Sequence, residues 1–277
     1  MGRASIPVDL HNPGQVFACL GFLEAAHTLL GNAEGGFAWA DEAQPRFDLN
    51  AGGPGNPVEV VTEFVCKARI ERLVPAGYAD PTDEKVRVVD WFPGPQADEK
   101  TLPVRLTGAA RAVDVTLWCD GSSRTSFKLF AGTQRAHDIA CEMIDSIRVL
   151  WERCRQALVR DPLGVTMPLG GGSFKLDARK WWTGIAAGYS PNDQGHDVEA
   201  SPMVEMLGAI GLEHARPNEF ETREVRYGVW KGLLPPILAR PALGGVRVGV
   251  PMRVFRFSLD LAGKNKVVTF AREETQP

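Results

Sequence analysis

The sequence predicts an α+β fold, and three observations carry that reading. Two strand candidates each run into a helix start of the same build, Asn12-Pro-Gly-Gln15 and Asn56-Pro-Val-Glu59. In both, asparagine caps the helix, proline takes the first helical position, and a Gln or Glu three residues on completes a capping box. A long amphipathic helix follows at about 133–158, and the chain closes on an alternating hairpin over 253–271. This order argues for βα units with hairpin insertions and against a helical bundle.

Taken in order, residues 6–10 read as the first strand. Val16, Phe17, Leu20, Leu23 and His27 then recur at helical spacing until Gly31 closes the helix. That spacing makes His27 a core or boundary histidine rather than a base, because a base needs convergent partners in a cleft. Short strands at 37–39 and 46–49 flank the turn 41–45, and the second helix is expected from Asn56 to about Arg72. Residues 75–103 mix charge with Pro, Gly and Tyr, so they read as a peripheral excursion holding one strand at 86–91. Stretches 113–119 and 124–130 alternate as a hairpin across Asp120-Gly121.

The helix at 133–158 should bury Ile139, Met143, Ile147, Leu150, Cys154 and Leu158, with its charged face in water. Ser201-Pro202 starts a helix to about Leu212, 225–230 is a strand, and the prolines at 235–236 break or begin a helix. In the last long strand Phe255, Phe257, Leu259 and Leu261 share one side, 263–266 turns, and 267–271 returns. The 277 residues read as a single α+β protein, with a division into subdomains 1–160 and 161–277 left open.

At 44% hydrophobic and 23% charged, the composition is that of a globular chain, not a disordered one. The net charge of −3 hides an asymmetry: Arg226 to Arg272 holds nine Lys or Arg against Asp260 alone, a net of +8, which leaves −11 elsewhere. Five scattered cysteines form no CxxC pair, which disfavours a zinc ribbon or dithiol site and suits reduced thiols in the cytoplasm. No signal-type apolar segment or long apolar run occurs, so no membrane association is expected.

The stretch Gly170-Gly-Gly-Ser-Phe-Lys-Leu-Asp-Ala-Arg-Lys-Trp-Trp-Thr183 carries the main functional candidates. Gly171, Gly172 and Ser173 would bring backbone N–H groups to phosphate oxygens, Lys175, Arg179 and Lys180 would neutralise phosphates, and Trp181 would stack on a base. On this reading, Arg179→Ala with Lys180→Ala costs binding without unfolding. A turn into an amphipathic helix, with one tryptophan in the core, is the competing reading. Ser126-Phe-Lys-Leu129 echoes Ser173-Phe-Lys-Leu176 after another small-residue turn, which adds Arg124 and Lys128. Arg256 on the last long strand and Lys264, Asn265 and Lys266 at the final turn complete the candidate nucleic-acid-binding set.

Motifs for enzymatic chemistry are absent. There is no GxxxxGK[ST], HExxH, GxSxG or zinc-ligand pattern, and the histidines (His11, His27, His137, His196, His214) are scattered. No catalytic residue, cofactor or metal is therefore assigned.

Several stretches resemble a known family: residues 6–26 (Ile-Pro-Val-Asp-Leu, then Asn-Pro-Gly-Gln-Val-Phe-Ala-Cys-Leu-Gly-Phe-Leu-Glu-Ala-Ala), 127–134, Gly-Gly-Ser-Phe at 171–174, 211–217, and Gly-Lys-Asn-Lys at 263–266. Together they look like a CRISPR-associated family of type I-G (formerly I-U) systems, and the likeness spans nearly the whole chain. The resemblance implies a subunit of a Cascade-like surveillance complex in antiviral defence, with a ferredoxin-like, RRM-like core of the repeat-associated (RAMP) type. It implies guide RNA, target DNA and other effector subunits as partners. Two roles stay open, a backbone protein gripping guide RNA or a large-subunit equivalent sensing the target-DNA motif. A guide-processing endoribonuclease using His27, and a structural adaptor without nucleic-acid contact, are the alternatives.

Overall fold

Helix α1 (Pro13–Leu30) runs through the middle of the molecule, buried on every side from Pro13 to Ala26. It starts where expected: Pro13 needs no N–H partner, and Asn12 Oδ1 accepts from Gly14 N at 3.1 Å. Gln15 reaches past the cap, its Oε1 accepting from Asp9 N at 2.8 Å. Gly31 ends the helix at φ +72, with its N–H on His27 O at 3.0 Å. The computed structural model describes residues 1–75, 86–89, 104–115, 129–130, 134–169, 172–180, 198–262 and 265–274.

Three strands, β1 (Gly2–Pro7), β2 (Glu34–Ala38) and β3 (Arg46–Ala51), form a sheet of order β1-β3-β2. Strand β3 is antiparallel to both neighbours, so β1 and β2, joined through α1, run parallel with β3 between them. Helix α2 (Pro57–Lys67) packs beside α1 on this sheet, its start capped by Asn56 Oδ1 on Val58 N and Glu59 N. A second sheet has order β5-β4-β6-β7, from β4 (Arg69–Pro75), β5 (Val86–Val89), β6 (Val104–Thr107) and β7 (Ala112–Val115). Helix α3 (Ala136–Arg160) lies against α2 and that sheet.

After a short pairing of β8 (Met167–Pro168) with β9 (Glu199–Ala200), helix α4 (Pro202–His214) packs along α1. The third sheet holds β10 (Asn218–Glu221), β11 (Glu224–Trp230), β12 (Met252–Ala262) and β13 (Asn265–Val268), in that order. Strand β14 (Arg272–Glu273) pairs with β12, and helix α5 (Pro236–Leu243) packs on β11. Buried side chains from all three sheets join one cluster running from Ile6 to Ala271. The architecture is mixed α+β, and among the described residues no helix is long and apolar enough to cross a membrane.

Helices α1 and α4 approach closely because glycines face each other. A Cβ on Gly21 would lie 1.9 Å from Leu207 O, and one on Gly211 2.1 Å from Phe17 O, so any side chain there collides with backbone. Neither helix is amphipathic, since both are enclosed.

Several expected boundaries move. Strand β1 ends at Pro7 rather than residue 10. Helix α2 stops at Lys67, not Arg72, because Ala68 turns extended (φ −62, ψ 143) and Ile70, Leu73 and Val74 bury themselves as a strand. Strand β7 pairs with β6, and the expected hairpin of 113–119 with 124–130 falls mostly on residues 116–128, outside the described set. Helix α3 buries Ile139, Met143, Ile147 and Leu150 as expected, but leaves helical geometry at Cys154 (φ −148), which is half-buried. His27 is exposed, not a core histidine, because the enclosed part of α1 ends at Ala26. Leu261 is 52% exposed, beyond the reach of the core that holds Phe255, Phe257 and Leu259.

Candidate functional site

Residues 172–180 are bolted to the starts of the two central helices. Asp177, fully buried, accepts from Asn12 Nδ2 at 2.9 Å and from Ser201 N at 2.9 Å, the N-caps of α1 and α4. Arg179 closes over the same carboxylate, its guanidinium donating at 2.6 and 3.0 Å, and also donates to Leu163 O at 2.7 Å. Glu205, one turn into α4 and also fully buried, accepts from Leu176 N at 3.2 Å and Asp177 N at 3.0 Å through Oε1. Its Oε2 has no hydrogen-bond partner among the described residues. Burial, with Asp177 nearby, raises its carboxyl from 4.5 to about 7. Lys175 sits in the left-handed region at φ +66 and is 3% exposed; burial, with Lys180 beside it, lowers its amine to about 8. Burial lowers Lys180 as well.

This geometry changes what the glycine-led stretch can do. Ser173 and Lys175 are buried, Arg179 is committed to Asp177, and Lys180 is half-buried, so the described part of the stretch does not offer an open phosphate cradle. For Arg179 the physical reason is the buried Asp177 carboxylate, which needs a cation against it. Gly172 is half-buried against Glu142. Gly171, Trp181, Arg124, Lys128 and Lys264 lie outside the described residues. Asn265 and Lys266 already belong to β13, opposite Ala262 and Leu261, rather than to a turn.

A different surface collects cations. In the third sheet Arg226 of β11 is the direct register partner of Arg256 of β12, which is the partner of Arg272 of β14. Directly opposed residues share a side of the sheet, so the three guanidinium groups form one row, continued by Asn218 of β10. The other side carries Val225, Tyr227, Phe255 and Phe257, all buried, with Tyr227 and Phe257 against Phe17 of α1. Hydrophobic alternation thus forces the row outward: the Arg256 side chain is 54% exposed and Arg226 37%. Arg226 lies over the Phe220 ring at 3.8 Å, and Arg256 is 6.0 Å from it. Countercharges are close: Arg226 donates to Glu274 at 2.7 Å, and Arg256 is 3.3 Å from Glu224.

Of the predicted residues that are described, only Arg256 belongs to this row. Arg226 and Arg272 were missed because cross-strand register brings them together over 46 residues of chain, and no local spacing signals it. The Asn12 cap was legible, but its link to Asp177 was not. Among the described residues no cluster of His, Cys, Asp and Glu could hold a metal. Cys19, Cys66 and Cys154 are free thiols. No protein-family model, curated protein or solved structure matches the chain.

Proposed function

We propose that the chain is a non-catalytic nucleic-acid-binding subunit of a type I-G CRISPR surveillance complex, in the cytoplasm, gripping guide RNA or target DNA. The single observation that carries this reading is the outward row Arg226–Arg256–Arg272 with Phe220 beside it. Guanidinium forks match phosphate oxygens, and an aromatic ring on an open sheet offers a stacking plate for a base. The neighbouring carboxylates do not forbid it. Exposed Arg–Glu pairs contribute roughly 0–1 kcal/mol, so a phosphate can replace the carboxylate at small cost. Support of a coarser kind comes from the first sheet. Its order β1-β3-β2 with α1 and α2 is that of three strands and two helices of a ferredoxin-like unit, although β4 joins another sheet instead of β1.

The test is incubation of the purified chain with labelled CRISPR-repeat RNA and with single-stranded DNA. Binding without cleavage is expected, weakened tenfold or more in the Arg226→Ala/Arg256→Ala/Arg272→Ala variant. Cleavage would favour an endoribonuclease. Neither binding nor cleavage would leave a structural adaptor.

A further inference from the structure

Strand β1 is paired on one side only. Strand β3 holds that side, and among the described residues no strand pairs with the other edge. The Val8 N–H donates to Pro45 O at 3.1 Å, which carries the β1–β3 ladder one residue beyond Pro7. In an antiparallel strand the main-chain groups turn to a given neighbour at alternate residues. Counting back from Val8, Gly2, Ala4 and Ile6 turn theirs to β3, while Arg3, Ser5 and Pro7 turn theirs outward. Pro7 has no N–H, and Ser5 O accepts from Arg46 Nη2 at 2.6 Å. The Arg3 N–H, the Arg3 carbonyl and the Ser5 N–H stay open to pairing, on two exposed residues.

A groove follows this edge. Ala4, Ser5 and Ile6 all line a cavity of about 670 Å³. Successive side chains of a strand point to opposite faces, so a cavity that touches three in a row lies along the edge. Its far wall is made by the last two turns of α3 and the start of α2. Ile6 is buried and Val159 half-buried in this lining, which supplies an apolar seat. Of its charged residues, Glu59 and Arg155 pair at 2.9 Å, whereas Arg160 is exposed with no ion pair among the described residues. The adjacent Asp161 turns its carboxylate to Gly164 N at 2.8 Å.

We propose that this edge takes an extended segment of another protein as an added strand, with an apolar side chain against Ile6 and Val159 and a carboxylate at Arg160. The main chain selects that occupant. A polypeptide presents N–H and C=O groups together, which match the open Arg3 carbonyl and the two open N–H groups. Phosphate oxygens only accept, and cannot meet the Arg3 carbonyl. A second copy adding its own β1 would set Arg3 directly or diagonally opposite its counterpart, which like-charge repulsion disfavours. Pro7 and Arg46 keep the open run short, so indiscriminate edge pairing is discouraged and a partner needs side-chain contacts as well. The edge shares no residue with the arginine row, and the inference stands apart from the nucleic-acid reading.

The test uses the full chain and three labelled heptapeptides of one sequence, alternating valine and threonine with a single glutamate. One is unmodified; the other two carry N-methyl groups on the odd or on the even residues, so each keeps its side chains but loses the donors of one edge. Fluorescence anisotropy is expected to show the unmodified peptide and one methylated form bound, with the other methylated form at least tenfold weaker. Ser5→Pro removes an outward N–H, which an edge strand tolerates, and is expected to weaken the unmodified peptide tenfold or more, as is Arg160→Glu. Arg3→Pro is the second edge variant should Ser5→Pro misfold. Equal binding of all three peptides, binding of none, full affinity in folded Ser5→Pro, displacement of the peptide by oligothymidylate, or a dimer in sedimentation that Ser5→Pro dissolves would each overturn the proposal. Repeat-RNA binding is expected to be unchanged in Ser5→Pro, so failure here and failure of the nucleic-acid reading are read separately.

Discussion

At Glu205 one carboxylate oxygen takes two backbone N–H groups while the other has no hydrogen-bond partner among the described residues, inside a helix start shared with Asp177 and Lys180. Its folded pKa of about 7 stands above the ordinary 4.5, so between those values the folded chain keeps a proton that the unfolded chain has lost. The sign follows: this group's contribution to stability is full below about pH 4.5 and falls as pH rises to about 7, by roughly 3 kcal/mol. Lys175 acts in the opposite direction, adding stability as pH rises from about 8 towards 10.5. Glu205→Gln is expected to shrink the difference between urea-unfolding free energies at pH 5 and pH 8; an unchanged difference would mean that Glu205 titrates normally. For Arg179 the structure reverses the sequence-based expectation. Arg179→Ala leaves Asp177 buried without its cation and is expected to cost roughly 3–5 kcal/mol, read from the urea midpoint, with part recovered in Arg179→Ala/Asp177→Asn. Wild-type stability in the single variant would contradict this. Lys175, Arg179 and Lys180 were visible as a run of cations, but not that Lys175 would be buried and Arg179 bound to a buried carboxylate. Asp177 looked like one acid among many, and Glu205 lies 28 residues further on.

Among the elements, the α1–α4 pair depends on glycine more than on any amphipathic stripe. Gly21→Ala and Gly211→Ala each drive a methyl group into a carbonyl of the facing helix, so the backbones must part. The expected loss is roughly 1–3 kcal/mol or more, seen as a thermal midpoint lower by several degrees. Gly55→Ala, with nothing within 4 Å, is the control and should melt as the parent does. Equal midpoints in all three would show that the helices can separate freely. Helix starts were the most legible features, since Asn12, Asn56 and Ser201 all cap as their spacing suggests. Helix ends and strand partners were not. The end of α2 is set by Ile70, Leu73 and Val74 finding a sheet, a tertiary gain that local propensity does not encode. Tyr227 and Phe255 stack at 5.5 Å only because β11 and β12 meet in that register.

For the whole molecule, the sequence overstated the basic character of its C-terminal part. Of the nine cations between Arg226 and Arg272, at least four pair, among the described residues, with acids outside that block: Arg226 with Glu274, Arg240 with Glu24, Arg253 with Glu273 and Arg256 with Glu224. Glu24 lies 216 residues from Arg240, so no charge count along the chain anticipates that pairing. What survives folding is narrower: an arginine row on the third sheet. Contacts between that row and phosphates are countable, because each releases counterions. The decisive measurement is the dissociation constant for repeat RNA across a range of salt concentrations, for wild type, Arg226→Ala, Arg256→Ala, Arg272→Ala and the control Lys67→Ala on α2. Each arginine variant is expected to reduce the slope of log K against log salt by about one, while Lys67→Ala leaves it unchanged. Equal slopes for all five proteins, or binding that ignores salt, would contradict the proposed nucleic-acid face.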